Sequence, residues 1–247
     1  MNALEQLQGF IDASKAITGF TGAGVSTESG IADYRSQGGI WEQFAPVTLD
    51  EFIADSGRRK LYWQRKLQMW PSLRDAVPGP AHAFFTALRQ SGRLLGLITQ
   101  NIDGLHEKSG LPVEMIVNLH GTSLEIRCLD CGDTFPAAGF METLDLDHTL
   151  PVCAGCGGLL KPNTISFGQG LRHDDLLRAE QLAKQCDLMI AAGSTLVVHP
   201  AASLPLLAKQ HGARLVIITL STTPLDAAAD LVIRRPLGPL LEGLRIC

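Results

Sequence analysis

Near-continuous apolar runs of strand length set the tightest limit on how this chain folds. Ala16 to Phe20, Leu94 to Thr99, Leu188 to Ala192 and Leu215 to Thr219 are such runs, and Leu231 to Ile233 is a fifth. A strand that is apolar along its whole length, rather than at alternate residues, has to be covered on both faces. Helical patterns lie between several of the runs, at Ala81 to Gln90, Asp174 to Lys184 and Pro200 to His211. This βα alternation predicts an α/β fold of Rossmann-like type, a parallel sheet with helices on both faces.

A length of 247 residues allows one large domain or two unequal ones. Two insertions interrupt the alternation. Ser36 to Pro80 reads as loop followed by helix, and Leu124 to Lys161 carries four of the six cysteines. The expected division is therefore a Rossmann-like domain from 1–35, 81–123 and 162–247, with 36–80 and 124–161 forming a smaller helical and zinc-binding domain. A net charge of −4 without a basic run argues against direct nucleic-acid binding, and no apolar stretch is long enough to span a membrane. Met1 to Lys15 interleaves Glu5 and Asp12 with Leu4, Leu7, Phe10 and Ile11 at helical spacing, so a first helix is expected there, not a leader. A cytoplasmic location with reduced cysteines is the corresponding expectation.

Cys128-Leu-Asp-Cys131 and Cys153-Ala-Gly-Cys156 form two CxxC pairs. Two thiolates three residues apart converge on one tetrahedral ion, and four close its coordination sphere, which predicts one structural zinc with no position open to substrate. Cys186 and Cys247 fall outside that set.

The first strand runs into Gly22-Ala23-Gly24-Val25-Ser26-Thr27, whose glycines permit a tight turn and close approach of a pyrophosphate. The second strand and ribose-binding acid of ordinary dehydrogenases do not follow. Instead the chain continues through Asp33-Tyr34-Arg35 to Trp41 as a long loop, so hydride transfer is disfavoured. Thr99-Gln100-Asn101-Ile102-Asp103 ends another strand, where α/β sheets bind ligands, although Asn and Asp there also suit helix capping. His120 follows an apolar run and is either a structural histidine or a base near neutral pH. Gly193-Ser194-Thr195 forms a further strand-to-helix turn suited to ribose or phosphate.

The motifs GAGVSTESGIADYR, TQNIDGLHEKSG, NLHG, the double CxxC, ISFGQ, GSTLVVHPA and TPLD occur in that order, and in combination the sequence resembles the sirtuins, NAD-dependent protein lysine deacylases. The resemblance implies NAD as co-substrate and acylated lysine peptides or proteins as partners, both entering a cleft between the two domains. By motif it puts Gly22, Ala23, Gly24, Thr27, Asp33, Tyr34, Arg35, Gln100, Gly193, Ser194, Thr195 and Thr219 on the cofactor. It puts Asn101 and Asp103 at the nicotinamide and its ribose, and makes His120 the catalytic base. Ile165, Phe167 and Gly168, with Leu196 and Val197 opposite, would clamp the peptide as an added strand. The implied products are nicotinamide, free lysine and O-acyl-ADP-ribose.

Some positions depart from the family pattern. Tyr34 stands where Phe is usual, Gln169 where Glu is usual, Ser166 replaces a bulkier residue, Thr219 replaces an Asn, and Arg235 and Leu237 replace Gly and Ala. Tyr62 and Arg65 share a helix face in the segment bordering the acyl pocket, either binding an acyl carboxylate or simply packing the helix. The acyl group removed is accordingly acetyl, succinyl or longer. Protein ADP-ribosyl transfer or NAD hydrolysis is the alternative on the same scaffold, and an NAD-sensing module without catalysis is a third.

Overall fold

The structure is a computed structural model and describes residues 2–33 and 45–246. Its centre is a six-stranded sheet built from β1 (Ile17–Thr21), β2 (Leu94–Thr99), β3 (Ile116–Asn118), β7 (Leu188–Ala192), β8 (Arg214–Ile218) and β9 (Leu231–Ile233). The order is β3-β2-β1-β7-β8-β9 and every pairing is parallel. All residues of β1 and β7 are buried, as their apolar composition requires. One apolar cluster lies on each face of the sheet, the first around Ile17, Phe85 and Val216, the second around Phe20, Met189 and Ile217.

The expected strands are present, displaced by a residue at β1 and β8 and with identical bounds at β2, β7 and β9. The sequence reading did not identify β3, whose three residues are too short to carry a periodicity. The expected helix from Pro200 to His211 is divided into a 3₁₀ turn, Ala201–Ser203, and a helix, Leu204–Gln210. Helices Pro80–Gln90 and His173–Gln185 cover the sheet on opposite sides, through Phe84, Phe85 and Leu88 in one cluster and Ala179 and Ala183 in the other.

The first helix, Ala3–Ala13, starts at a reciprocal cap in which the Asn2 side chain accepts from Glu5 N–H and the Glu5 carboxylate accepts from Asn2 N–H, each at 2.9 Å. The two segments expected to form the small domain supply helices Leu49–Ala54 and Ser56–Asp75 and a three-stranded antiparallel sheet. That sheet has the order β5-β4-β6, from β4 (Gly121–Cys128), β5 (Thr134–Pro136) and β6 (Leu160–Thr164). Trp63 and Trp70 of the long helix pack with Ile126, Ala137, Met141 and Leu160 in a core of their own. β4 crosses the boundary placed between 123 and 124, and β6 that between 161 and 162, so the antiparallel strands grow directly out of the segments carrying the site.

The chain passes from β1 outward to β2 and β3, then returns to add β7 on the other side of β1. The order therefore reverses between β1 and β7, and the crevice beyond their carboxyl ends is where such sheets hold ligands.

Candidate active site

Two glycine turns lock together at that crevice. Gly22 N–H donates to Ala192 O at 3.1 Å and Gly24 N–H to Gly193 O at 2.9 Å. A Cβ on Gly24 would stand 2.8 Å from Gly193 Cα, and one on Gly193, whose φ is +63°, would stand 2.5 Å from Val25 N. Backbone contact this close excludes any side chain and leaves a smooth floor. Above it opens a cleft of ≈ 530 Å³ whose walls include Gly22, Ala23, Gly24, Asp33, Gln100, Asn101, His120, Gly193, Ser194 and Thr195. Tyr62, Arg65, Ile165, Phe167 and Gly168 line it from the other side. Most of the sequence-chosen residues thus converge although they lie far apart in the chain.

Others stand apart. Thr27 turns back to donate to Gly24 O at 3.1 Å, and Thr219 is buried with its carbonyl accepting from Arg234; neither lines the cleft. Leu196 is buried and Val197 is half exposed at 47%, both beside the cleft wall formed by Val198, His199 and Pro200. Leu196 holds φ 53°, a conformation a branched residue seldom adopts. Tyr34, Arg35 and the loop as far as Trp41 lie outside the described residues.

His120 lies in the two-residue turn between β3 and β4. Its Nδ1 lies 3.0 Å from Gln100 O, and because a carbonyl only accepts, Nδ1 carries the proton and Nε2 is left as the basic nitrogen. Burial lowers the His120 pKa from its ordinary 6.5, and the hydrogen bond to Gln100 opposes that only in part. The imidazole is therefore neutral at pH 7 and able to accept a proton. Since the shift is downward, the acid limb of a kcat/KM profile should fall below pH 6.5. A limb above that value would contradict His120 as the base.

Asn101 and Asp103 are 6% and 5% exposed. Asp103 Oδ1 accepts from Leu105 N–H at 3.0 Å, at the start of the short helix that follows, and Oδ2 accepts from Ser26 Oγ at 2.7 Å. Asn101 Nδ2 donates to the same Ser26 Oγ at 3.1 Å, and Asn101 N–H donates to Thr99 Oγ1 at 3.0 Å. Gln100 Nε2 donates to Ser194 Oγ at 2.8 Å, tying the β2 end to the β7 turn. An adjoining cavity of ≈ 260 Å³ is lined by Ser26, Ile31, Asn101, Ile102 and Asp103, and extends to Met69, Trp70 and Met141.

Sequence reading missed Ser26, although it stands inside the glycine motif, and missed Lys66, Met69 and Lys161. Lys161 is 1% exposed, with Nζ donating to Pro162 O at 3.1 Å and Thr164 O at 2.5 Å. Burial alone would raise the Tyr62 hydroxyl, but the ammonium groups of Lys66 and Lys161, 5.4 and 5.8 Å from its ring, lower it overall. Arg65 donates to Ala45 O, so its guanidinium takes part in shaping the cleft wall.

The four CxxC sulfurs lie within 4.8 Å of one another, with Cys128 Sγ 3.5 Å from Cys156 Sγ and Cys131 Sγ 3.8 Å from Cys153 Sγ. Four donors each about 2.3 Å from one tetrahedral ion stand about 3.8 Å apart, so these sulfurs are placed to converge on one zinc ion.

A Rossmann-like sheet whose switch-point crevice presents a glycine floor, a neutral histidine and a buried Asn/Asp pair, beside a four-cysteine module, defines a nucleotide-using enzyme. The chain belongs to the Sir2 family, which it matches over residues 22–200. It is 43% identical over 240 residues to NAD-dependent protein deacetylase 1 of Bradyrhizobium diazoefficiens, covering 97% of this chain and 94% of that protein. It is 37% identical over 240 residues to NAD-dependent protein deacylase 1 of Archaeoglobus fulgidus, covering 97% and 96%. Among solved structures it resembles a Sir2 homologue in complex with NAD, with TM-score 0.84, 35% identity and 96% and 91% coverage. It also resembles a Sir2 enzyme solved with a deacetylated peptide and 3'-O-acetyl ADP ribose, with TM-score 0.86, 31% identity and 98% and 96% coverage. Among the described residues no helix is long and apolar enough to cross a membrane.

Proposed function

We propose that this chain removes acyl groups from protein lysine side chains with consumption of NAD, giving nicotinamide, free lysine and O-acyl-ADP-ribose. The observation that carries this reading is the orientation of His120, with Nδ1–H held by Gln100 O and Nε2 left as a base in a cleft that also contains Asn101 and the glycine floor. Family membership supports it.

Each residue has a task that its surroundings permit. Gly22, Ala23 and Gly24, with Gly193, Ser194 and Thr195, receive the dinucleotide phosphates and ribose where no Cβ obstructs approach. Asp33, Tyr34 and Arg35 belong to the cofactor loop, Thr27 braces the glycine floor through Gly24 O, and Thr219 keeps the cofactor contact that the family motif implies. Asn101 and Asp103 fix the nicotinamide end, where positive character develops at the anomeric carbon as its bond to nicotinamide breaks. An acyl-lysine oxygen is a poor nucleophile, so groups already oriented toward that charge matter more than any attacking base. The acyl-lysine oxygen bonds to the anomeric carbon as nicotinamide leaves. His120 then removes a proton from a ribose hydroxyl, which attacks the carbon of the resulting imidate. Addition of one water releases free lysine and leaves the acyl group as an ester on the ribose. Ile165, Phe167 and Gly168, facing Leu196 and Val197, hold the peptide backbone, and Tyr62 and Arg65 border the acyl chain. Cys128, Cys131, Cys153 and Cys156 would hold one zinc, whose contribution is structural because four thiolates fill its coordination.

The Rossmann-like unit comprises 1–35, 81–123 and 162–247 in this reading, and the smaller one 36–80 and 124–161. The proposed setting is the cytoplasm, with acylated proteins as partners and no direct contact with nucleic acid. Matched acetyl-, succinyl- and long-acyl-lysine peptides incubated with and without NAD and followed by mass spectrometry test the reading. Acyl loss that requires NAD supports it and ranks the chains. Nicotinamide release with every peptide unchanged would replace it by ADP-ribosyl transfer or NAD hydrolysis.

A further inference from the structure

The sheet order sets the cleft residues in a row, with His120 beyond β3, Asn101 beyond β2, Gly22 beyond β1, Gly193 beyond β7 and Ser221 beyond β8. Ser221 therefore stands three strands from Asn101, about 14 Å away at the usual strand spacing. A dinucleotide with its nicotinamide at Asn101 and its phosphates on the glycine floor lays its adenosine ribose at the end of β8, and this placement rests on the proposed use of NAD. β7, the Gly193 turn and the parallel return of β8 make a βαβ unit of the kind that holds such a ribose. Sheets that bind NAD this way carry an Asp or Glu at the end of the returning strand, where its carboxylate accepts from the adenosine 2′-hydroxyl, whereas a nearby Arg accommodates a 2′-phosphate.

The turn after β8 offers no carboxylate. It reads Thr219-Leu220-Ser221-Thr222-Thr223, with Ser221 and Thr222 exposed and Ser221 lining the cleft. The next acid along the chain, Asp226, is already committed: Oδ1 accepts from Thr223 Oγ1 at 2.7 Å, Oδ2 accepts from Thr223 N–H at 3.2 Å, and the Arg234 guanidinium pairs with it. Arg234 also donates to Thr219 O at 3.2 Å, and Thr219 N–H donates to Ile233 O at 3.2 Å, so the end of β9 is laced to this turn. Arg235 follows, exposed, and no carboxylate among the described residues pairs with it. Glu28, from the first glycine turn, is drawn to Gly238 N–H at 3.0 Å. Asp33 is the one carboxylate among the described residues that line the cleft, and it comes from the loop beyond β1.

We infer that the adenosine end of the cleft admits a 2′-phosphorylated dinucleotide, NADP, alongside NAD, with the hydroxyls of Ser221 and Thr222 and the guanidinium of Arg235 receiving the phosphate. A phosphate monoester is an anion with several strong acceptor oxygens, which hydroxyl donors and an exposed guanidinium suit and a carboxylate at the same turn would repel. The added group is remote from the nicotinamide ribose and takes no part in the chemistry there. The proposed reaction is unchanged, and the 2′-phosphate is carried over into the O-acyl-ADP-ribose.

Calorimetry of NAD and of NADP on wild type, Ser221→Glu and Arg235→Ala, with thermal midpoints, tests this. Wild type should bind the two dinucleotides with affinities within about tenfold of each other, the scale of one hydrogen bond to a charged group. Ser221→Glu should weaken NADP relative to NAD by about 10- to 100-fold through like-charge repulsion, and Arg235→Ala by about tenfold through loss of a charged donor. Both side chains are exposed, so the midpoints should match wild type. Should Ser221→Glu unfold, Arg235→Ala carries the same comparison. The inference is overturned if wild type binds NAD but holds NADP more than about 100-fold more weakly, or if neither variant changes the ratio of the two affinities. Wild type that binds neither dinucleotide would instead defeat the use of NAD and the inference with it, and the NAD arm tells the two failures apart.

Discussion

His120→Ala should reduce acyl removal by about 10²- to 10⁴-fold, the usual contribution of a general base. The loss should not be uniform across the reaction. In the proposed reaction His120 acts after the bond to nicotinamide has broken, so exchange of labelled nicotinamide into NAD in the presence of acyl-peptide should persist in the variant. The asymmetry follows from position: Asn101 and Asp103 belong to the buried network around Ser26, whereas the imidazole of His120 hangs from Gln100 O on a single hydrogen bond. Steady-state deacylation and isotope exchange on the same preparations provide the check. Equal loss of both activities at an unchanged thermal midpoint would instead place His120 in the nicotinamide step.

Cys131→Ser should produce the largest structural effect. Zinc bound by four thiolates contributes binding free energy directly to folding, about 10–16 kcal/mol in small zinc modules near neutral pH. Here Cys128 and Cys153 are buried in the small core with Trp63 and Trp70, so loss of one ligand should loosen that core before the parallel sheet, whose two clusters are separate from it. The expected result is about one zinc per wild-type chain by metal analysis, less than stoichiometric zinc in the variant, and a tryptophan fluorescence transition at lower temperature than loss of far-UV ellipticity. A variant with full zinc content and wild-type fluorescence would show that the four sulfurs do not act as one site. Strong chelators should reproduce the effect in wild type.

The parallel sheet was legible because its strands are apolar on both faces, so β2, β7 and β9 coincide with their runs. β3 was not, since Ile116–Asn118 follows a 3₁₀ turn and has only two apolar residues. The antiparallel sheet escaped for a different reason. β6 reads Leu-Lys-Pro-Asn-Thr, a sequence with the composition of a loop, yet all five residues are buried. Lys161 is tolerated there because the carbonyls of Pro162 and Thr164, one and three residues on, accept from its ammonium, while its burial against the Tyr62 ring is set by tertiary structure. In the site, the residues close to the chemistry sit in local motifs and could be chosen from the sequence. Lys66 and Met69 could not, because they reach the cleft from the long helix Ser56–Asp75, where a lysine and a methionine carry no motif.

The most direct test of the central claim is the stoichiometry of nicotinamide release from NAD and an acetyl-lysine peptide, with all products quantified together by mass spectrometry. The account predicts one nicotinamide, one deacylated peptide and one O-acetyl-ADP-ribose per turnover, and no nicotinamide release with unmodified peptide. Nicotinamide released equally with and without the acyl group, accompanied by free ADP-ribose or ADP-ribosylated protein, would contradict it.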